Sequence, residues 1–414
     1  MKTRILLSTF IILLVLAAPG FQAVVRQGQR LETAFVARET SGTLFENVAA
    51  VLKKRYYDGR FRAEVLPGLI LRYEERARRA TTLDQQRDVV QEFLSHIPAS
   101  HLGLLSKRTH RYMIYDLLGR PYPTFGFQLT QIRGEFYASA VLEGGPAQRA
   151  GVLAWDRVIS IDGIPTGRSH RVDWRSDDAY IPDDRDPPVH YLIAEPGERI
   201  KIEVERTRRK VLSITIPAEY YSALEAAKAS IRIHRLDGRS FGYLHLWYIH
   251  INGVPEFLKQ KLEGELKDCH GVILDLRGRG GNGIAVWKIL DVLRADREAR
   301  RRPLVALVDR QSRSAKDLLA YEMKRTGLAR VVGESTAGAV IPATFAEVGH
   351  DSVLMFPSFK LPRYTDLLEF KPVEPDVFIE RAGPLSAGKD PILKAGLAEA
   401  ARLAKSTERQ RKPD

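Results

Sequence analysis

The stretch GVILDLRGRGGNGIAVWKILDVLRADREARRRPLVALVDRQSRSAKDLLAYEMKRTGLARVVGE, residues 271–334, decides the fold. Its apolar runs GVILDL (271–276) and PLVALV (303–308) do not alternate with polar residues, as expected of strands buried on both faces. Each run is followed by a segment with helical spacing, IAVWKILDVLRA and AKDLLAYEMKRTG, and ARVVGE supplies the next short strand. Upstream, FGYLHLWY at 241–248 and VPEFLKQKLEGEL at 254–266 continue the alternation. Such alternation implies right-handed crossovers with helices covering a sheet. Residues 230–395 are therefore expected to form an α/β domain.

Working outward, residues 115–220 change texture to short β-branched runs with turn residues: FYASAVLE, DRVISIDG, RIKIEVER and KVLSITI. These predict a small β module. Within it, residues 172–188 (VDWRSDDAYIPDDRDPP) are too rich in Asp and Pro for a strand. The six aspartates 173, 177, 178, 183, 184 and 186 lack the glycine and terminal glutamate of a calcium loop, so they read as a solvated acidic loop. Residues 40–110 are mainly helical in pattern. Phe45, Val48, Leu52 and Tyr56 share one face, and Thr82 with Gln85 has the spacing of a capping box. Val90, Phe93, Leu94 and Ile97 form the apolar stripe of that second helix, which Pro98 ends. At the far end, residues 406–414 (STERQRKPD from Ser406) are expected to be disordered.

The chain has 414 residues, 44% hydrophobic and 28% charged, a balance that excludes pervasive disorder, collagen, a disulfide scaffold and a polytopic membrane protein. Its length suggests two or three domains. Cys269 is alone and cannot form an internal disulfide. Residues 5–18 (ILLSTFIILLVLAA), preceded by Lys2 and Arg4, resemble the core of a signal peptide, so residues 1–23 are read as a signal peptide or an uncleaved anchor. Export without disulfides points to a bacterial periplasm or envelope. The net charge of +13 comes from scattered runs, LKKR (52–55), RTRRK (206–210), REARRR (297–302) and RQRK (409–412), without interleaved aromatics. They read as solvated or envelope-facing surface rather than as a nucleic-acid site.

Two junctions could carry chemistry. After GVILDL the sequence Arg277-Gly278-Arg279-Gly280-Gly281-Asn282-Gly283 lets the backbone turn sharply and aim its amides at an anion or oxyanion. No Gly-Lys-Ser/Thr follows, so it is not a P-loop, and a plain tight turn remains the alternative. After PLVALVD comes Arg310-Gln311-Ser312-Arg313-Ser314, directly before a helix. A serine there serves equally as a nucleophile at a helix N-terminus or as an ordinary N-cap.

Taken in order, these motifs resemble the carboxyl-terminal processing (tail-specific) serine peptidases over most of residues 40–385. VLEGGPAQRAGVLAWDRVISIDGIPT at 141–166 is similar to a PDZ domain, and GYLHLWY, GVILDLRGRGG and the serine-bearing stretch follow in the family's order. The resemblance implies a ClpP/crotonase-like α/β catalytic domain, with the PDZ-like domain inserted or preceding and a helical N-terminal segment. It makes Ser314 the nucleophile, with Asp317 in place of the usual Glu. Thr336-Ala337-Gly338-Ala339 has Ala339 where some members carry a base lysine, and so resembles the tricorn-core-like Ser/His/Glu subset. That subset's histidine matches His101 in IPASHLGL (97–104), and its acid matches Glu369, with Glu374 as runner-up. Lys316 lies two residues past Ser314, about 200° around a helix, and is expected to face away from the hydroxyl. The implied oxyanion donors are the amides of Gly281 (or Gly280) and Ala315. The implied peptide-binding loop, within YPTFGFQL, comprises Phe125, Gly126 and Phe127.

The function so implied is that of an exported serine endopeptidase acting on protein or peptide substrates, with no cofactor or metal. A membrane contact through residues 5–18 and the oligomeric state stay open. Alternatives are an inactive PDZ-containing peptide-binding scaffold and an apolar-ligand-binding relative of the same fold.

Overall fold

The structure, a computed structural model, describes residues 42–174, 189–250, 253–278 and 280–411. The signal-like segment and the aspartates from 177 to 186 lie outside the described residues.

The N-terminal segment contains α1 (Leu44–Arg55), α2 (Gly59–Glu64), α3 (Leu66–Arg79) and α4 (Leu83–Ser95), then β1 (Gly103–Ser106) and α5 (Lys107–Leu118). Capping boxes start α1 at Thr43 with Glu46 and α4 at Thr82 with Gln85, satisfying amides that have no partner within the helix. The β module follows as β2 (Tyr122–Thr124), β3 (Phe127–Ile132), β4 (Glu135–Val141), α6 (Pro146–Arg149), β5 (Arg157–Ile161), β6 (Ile164–Pro165), β7 (Val189–His190), β8 (Arg199–Thr207), β9 (Lys210–Pro217) and β10 (Glu219–Tyr221). Its main sheet runs β7-β3-β4-β5-β8-β9, with β6 on β5, around a core that includes Phe125, Leu129, Ile161 and Ile202. At its neck β2 pairs antiparallel with β10, so the chain enters and leaves the module through paired strands. Asp173 departs from the solvated reading. It is buried and accepts the hydroxyls of Ser106 (2.6 Å) and Thr109 (2.8 Å), which replace the water it would otherwise need.

The α/β part contains α7 (Ala223–Ala229), β11 (Arg232–Leu236), β12 (Arg239–His245), α8 (Val254–Glu263), β13 (Gly271–Asp275), α9 (Gly283–Arg300), β14 (Leu304–Val308), α10 (Ala315–Arg325), β15 (Arg330–Gly333), β16 (Ala343–Gly349), β17 (Ser352–Pro357), α11 (Tyr364–Leu368), β18 (Val377–Phe378) and α12 (Pro391–Arg411). Its sheet runs β11-β12-β13-β14-β15-β18, parallel from β12 onward. One face of the sheet packs on α8, α9 and α10 through Leu258, Ile289 and Leu319. The other carries Tyr243, Ile273, Val305 and Val332 against Ile392, Ala400 and Ala404 of α12. Every residue of β13 and β14 is buried, which accounts for their unbroken apolar runs.

Two topological features position the site. β1 pairs antiparallel with β17, and Phe45, Val48 and Phe93 share a core with Leu354 and Phe356, so the N-terminal helices are built onto the C-terminal hairpin. The β module is thereby inserted between β1 and the α/β sheet. The tail reading needs correction: residues 406–411 continue α12. Arg239 pairs with Glu408 at 2.6 Å and Lys405 with Asp237 at 2.8 Å, and these tethers hold a segment that has little apolar surface of its own.

Candidate active site

Ser314 sits where β14 gives way to α10, at φ +61° and ψ −119°, a backbone region that non-glycine residues seldom occupy and that surrounding contacts must hold. Its amide faces the Ala339 carbonyl (2.9 Å) and the Asp317 carboxylate (2.9 Å). Asp317 is fully buried and also accepts the amides of Gly338 (2.9 Å) and Ala339 (3.1 Å). Burial pushes its carboxyl up to about 6, while these hydrogen bonds oppose the rise. Ser312 is fully buried, and its hydroxyl lies 2.9 Å from the Leu276 carbonyl and 3.2 Å from Asp309. It ties the strand end together, whereas Ser314 is only half-buried.

His101 lies just before β1, with φ +55°, and its Nδ1 is 2.9 Å from Ser100 Oγ. Ser100 donates its amide (2.8 Å) and its hydroxyl (3.2 Å) to Glu369. A hydroxyl carries one proton. With that proton aimed at the carboxylate, Ser100 Oγ accepts from Nδ1–H, and Nε2 is left as the acceptor nitrogen. Glu369 also accepts the amides of Val340 (2.9 Å) and Ile341 (3.0 Å), and the Phe370 amide donates to the Gly338 carbonyl (2.7 Å). The segment 338–341 therefore touches the Ser314 turn on one side and Glu369 on the other. Glu374 is exposed and accepts the Ser335 hydroxyl (2.6 Å), away from this cluster. Ser100 received no role from the sequence beyond its place before His101, and only folding reveals its two partners.

The glycine turn is held against the chain that follows β12. Ile249 donates to the Gly280 carbonyl (3.4 Å) and accepts the Asn282 amide (2.5 Å). A side chain on Gly281 would fall 2.5 Å from Ile249 Cβ, so only glycine fits. In the trans peptide joining Gly280 to Gly281, the carbonyl points at Ile249, and the Gly281 amide points the other way. Ala315 begins α10, among the helical amides that have no partner in the first turn. Lys316 is fully buried and donates to the carbonyls of Trp247 (3.1 Å), Arg277 (2.8 Å) and Gly278 (3.1 Å), so its amine faces the glycine turn. Burial pulls its amine down to about 7, against the pull of Asp309 and Asp275.

The β module docks beside this turn. Glu143 accepts from the Trp247 indole and lies 3.3 Å from His245 Nδ1, while His245 Nε2 is 3.1 Å from the Arg277 carbonyl. Burial works against a charge on His245, but Asp275 and Glu143 outweigh it and hold its pKa above the usual value. Phe125 and Phe127 are buried, and the Gly126 amide is used by Thr124 Oγ1 (3.0 Å). β7 covers part of the outer edge of β3, pairing His190 with Leu129 and Val189 with Thr130.

Residues 291–379 match the model of Peptidase family S41. The chain is 23% identical over 328 residues to the carboxy-terminal processing protease of Bacillus subtilis, covering 70% of this chain and 65% of the relative. Together these matches support a place for the chain among the carboxyl-terminal processing peptidases. A second family member, the carboxyl-terminal-processing protease of a Synechocystis strain, is 24% identical over 265 residues, 58% of each chain. The chain thus spans less than two thirds of the length of these curated relatives. Among solved structures, the photosystem II D1 C-terminal processing protease superposes with a TM-score of 0.52 at 18% identity, covering 88% of this chain and 100% of that one, and so shares the family fold.

Proposed function

We propose that the protein is an exported serine endopeptidase whose nucleophile is Ser314, with His101 as base and Glu369 as the orienting acid. One observation carries this reading. The segment Gly338–Ile341 binds the Ser314 turn and the Glu369 carboxylate together, and Ser100 joins that carboxylate to His101. Ser314 Oγ attacks a peptide carbonyl and passes its proton to His101 Nε2. Ser100 relays the carboxylate's influence to Nδ1–H, which keeps the tautomer and stabilises the imidazolium. The oxyanion is received by the amides of Gly281 and Ala315, the Gly280 amide being the alternative to Gly281. His101 then protonates the leaving amine, and water releases the acyl group by the same route in reverse. No cofactor enters these steps.

The β module is assigned a PDZ-like role, taking extended peptides or C-termini at the loop Phe125–Phe127 and the adjoining edge of β3. With β7 on Leu129 and Thr130, the available edge is short, so affinity is expected to be modest. The signal-like residues 1–23 support export to a bacterial envelope, and no helix among the described residues is long and apolar enough to cross a membrane.

Proteolysis of an internally quenched peptide library tests the reading. Native protein should cleave, Ser314→Ala should not, and the variant should keep its fold. Cleavage retained in Ser314→Ala would overturn the assignment. Failure of the native protein to cleave any peptide, while still binding them, would favour a non-catalytic scaffold.

A further inference from the structure

We infer that Lys316 is a positioning residue for the oxyanion-binding turn: its ammonium grips the first peptide units of the glycine turn from beneath and fixes where the Gly280–Gly281 amides stand. The inference rests on the proposed role of Ser314.

In its charged form the amine has three protons, one for each of three backbone carbonyls within reach, those of Trp247, Arg277 and Gly278. Arg277 and Gly278 open the turn, and Trp247 belongs to the chain segment that continues to Ile249 and pins the turn's far end. Lys316 therefore joins the two strands of backbone whose relative placement sets the Gly281 amide. The Arg277 carbonyl faces the amine, so the amide of that peptide unit, on Gly278, faces outward. That amide is caught by Asp309 Oδ1 at 3.1 Å, and the same oxygen accepts the Gln311 amide (3.1 Å) and lies 3.2 Å from the Ser312 hydroxyl. The turn is held on both faces, by a cation on one and a carboxylate on the other.

Nothing in the packing of α10 asks for a charge at this position, and a buried ammonium is unfavourable unless fully hydrogen-bonded. Its location explains the arrangement. Lys316 and Ala315 are neighbours at the start of one helix, so the residue that fixes the glycine amides is covalently adjacent to the second oxyanion donor and two residues from the nucleophile. The charged and titratable groups around it are Asp275, Arg277 and Asp309, with His245 sharing the Arg277 carbonyl.

The test compares native protein, Lys316→Met and Lys316→Gln, with Ser314→Ala alongside, using a quenched peptide that the native enzyme cleaves and a peptidyl aldehyde of the same sequence. The aldehyde adduct on Ser314 needs the oxyanion site; uncleaved peptide does not. In folded Lys316→Met, kcat should fall about a hundredfold, as for loss of an oxyanion donor, with KM within about twofold and aldehyde affinity reduced in step with kcat. Lys316→Gln, which keeps two donors, should fall between the two. Unchanged kcat and aldehyde affinity in a folded variant would overturn the inference, and so would failure of both variants to fold, which would make Lys316 a folding requirement. If Ser314→Ala still cleaves, it is the reading of the nucleophile that has failed, a result distinct from either.

Discussion

Ser314 and His101, the proposed nucleophile and base, are held in place by different routes. Ser314 is fixed by its own helix start, through Asp317 three residues on, and by the neighbouring segment 338–339. His101 is fixed through Ser100, whose carboxylate partner lies 269 residues away. The first arm belongs to a sheet domain that could be assembled locally. The second exists only because β1 pairs with β17 and carries the N-terminal segment onto the C-terminal hairpin. In the proposed mechanism, catalysis is therefore conditional on the docking of two distant parts of the chain.

The difference can be broken from either side. The largest effect is expected in the distant arm, where His101→Ala should lower kcat by on the order of a thousandfold or more, with melting temperature little changed. A loss below tenfold would mean that another base serves Ser314. Next, Glu369→Gln and Ser100→Ala should each cost roughly ten- to a hundredfold. Because both act through one chain of hydrogen bonds, the double variant should lose little more than the worse single one. Full additivity would show that Ser100 is not the link.

In the local arm, Ser312→Ala should leave catalysis largely intact while lowering stability by about 1–3 kcal/mol, because the Asp309 amide and the Leu276 carbonyl lose a buried partner. Chemical denaturation would measure this. A collapse of turnover in a stable Ser312→Ala would put the nucleophile at the wrong serine. The smallest effect concerns pH. The Lys316 amine, lowered by burial to about 7, holds fewer protons in the folded chain than in the unfolded one from about pH 7 to 10. Its contribution therefore makes stability rise with pH across that window, and the rise should be flatter in Lys316→Met by denaturant titration. Parallel curves for the two proteins would contradict it.

Much of the local arm was legible beforehand. The unbroken runs GVILDL and PLVALV required a sheet covered on both faces, and α8, α9, α10 and α12 provide the cover. The distant arm was legible only through resemblance, because no periodicity ties residue 101 to residue 369. Ser100 looked like a bystander, since a serine's partners cannot be read from its neighbours. Lys316 was read only for its angle to Ser314, because its three carbonyl partners come from other segments and left no mark in its own. The same limit explains the C-terminal residues, where a polar sequence hides the Arg239–Glu408 pair, and Asp173, which looked solvated beside the other aspartates.

Mass-spectrometric mapping of the adduct formed by a fluorophosphonate on native protein, with its rate of formation compared in His101→Ala, tests the central claim most directly. A single adduct is expected on the peptide bearing Ser314, forming at least a hundredfold more slowly in the variant. An adduct on another residue, or one on Ser314 whose rate does not depend on His101, would contradict it.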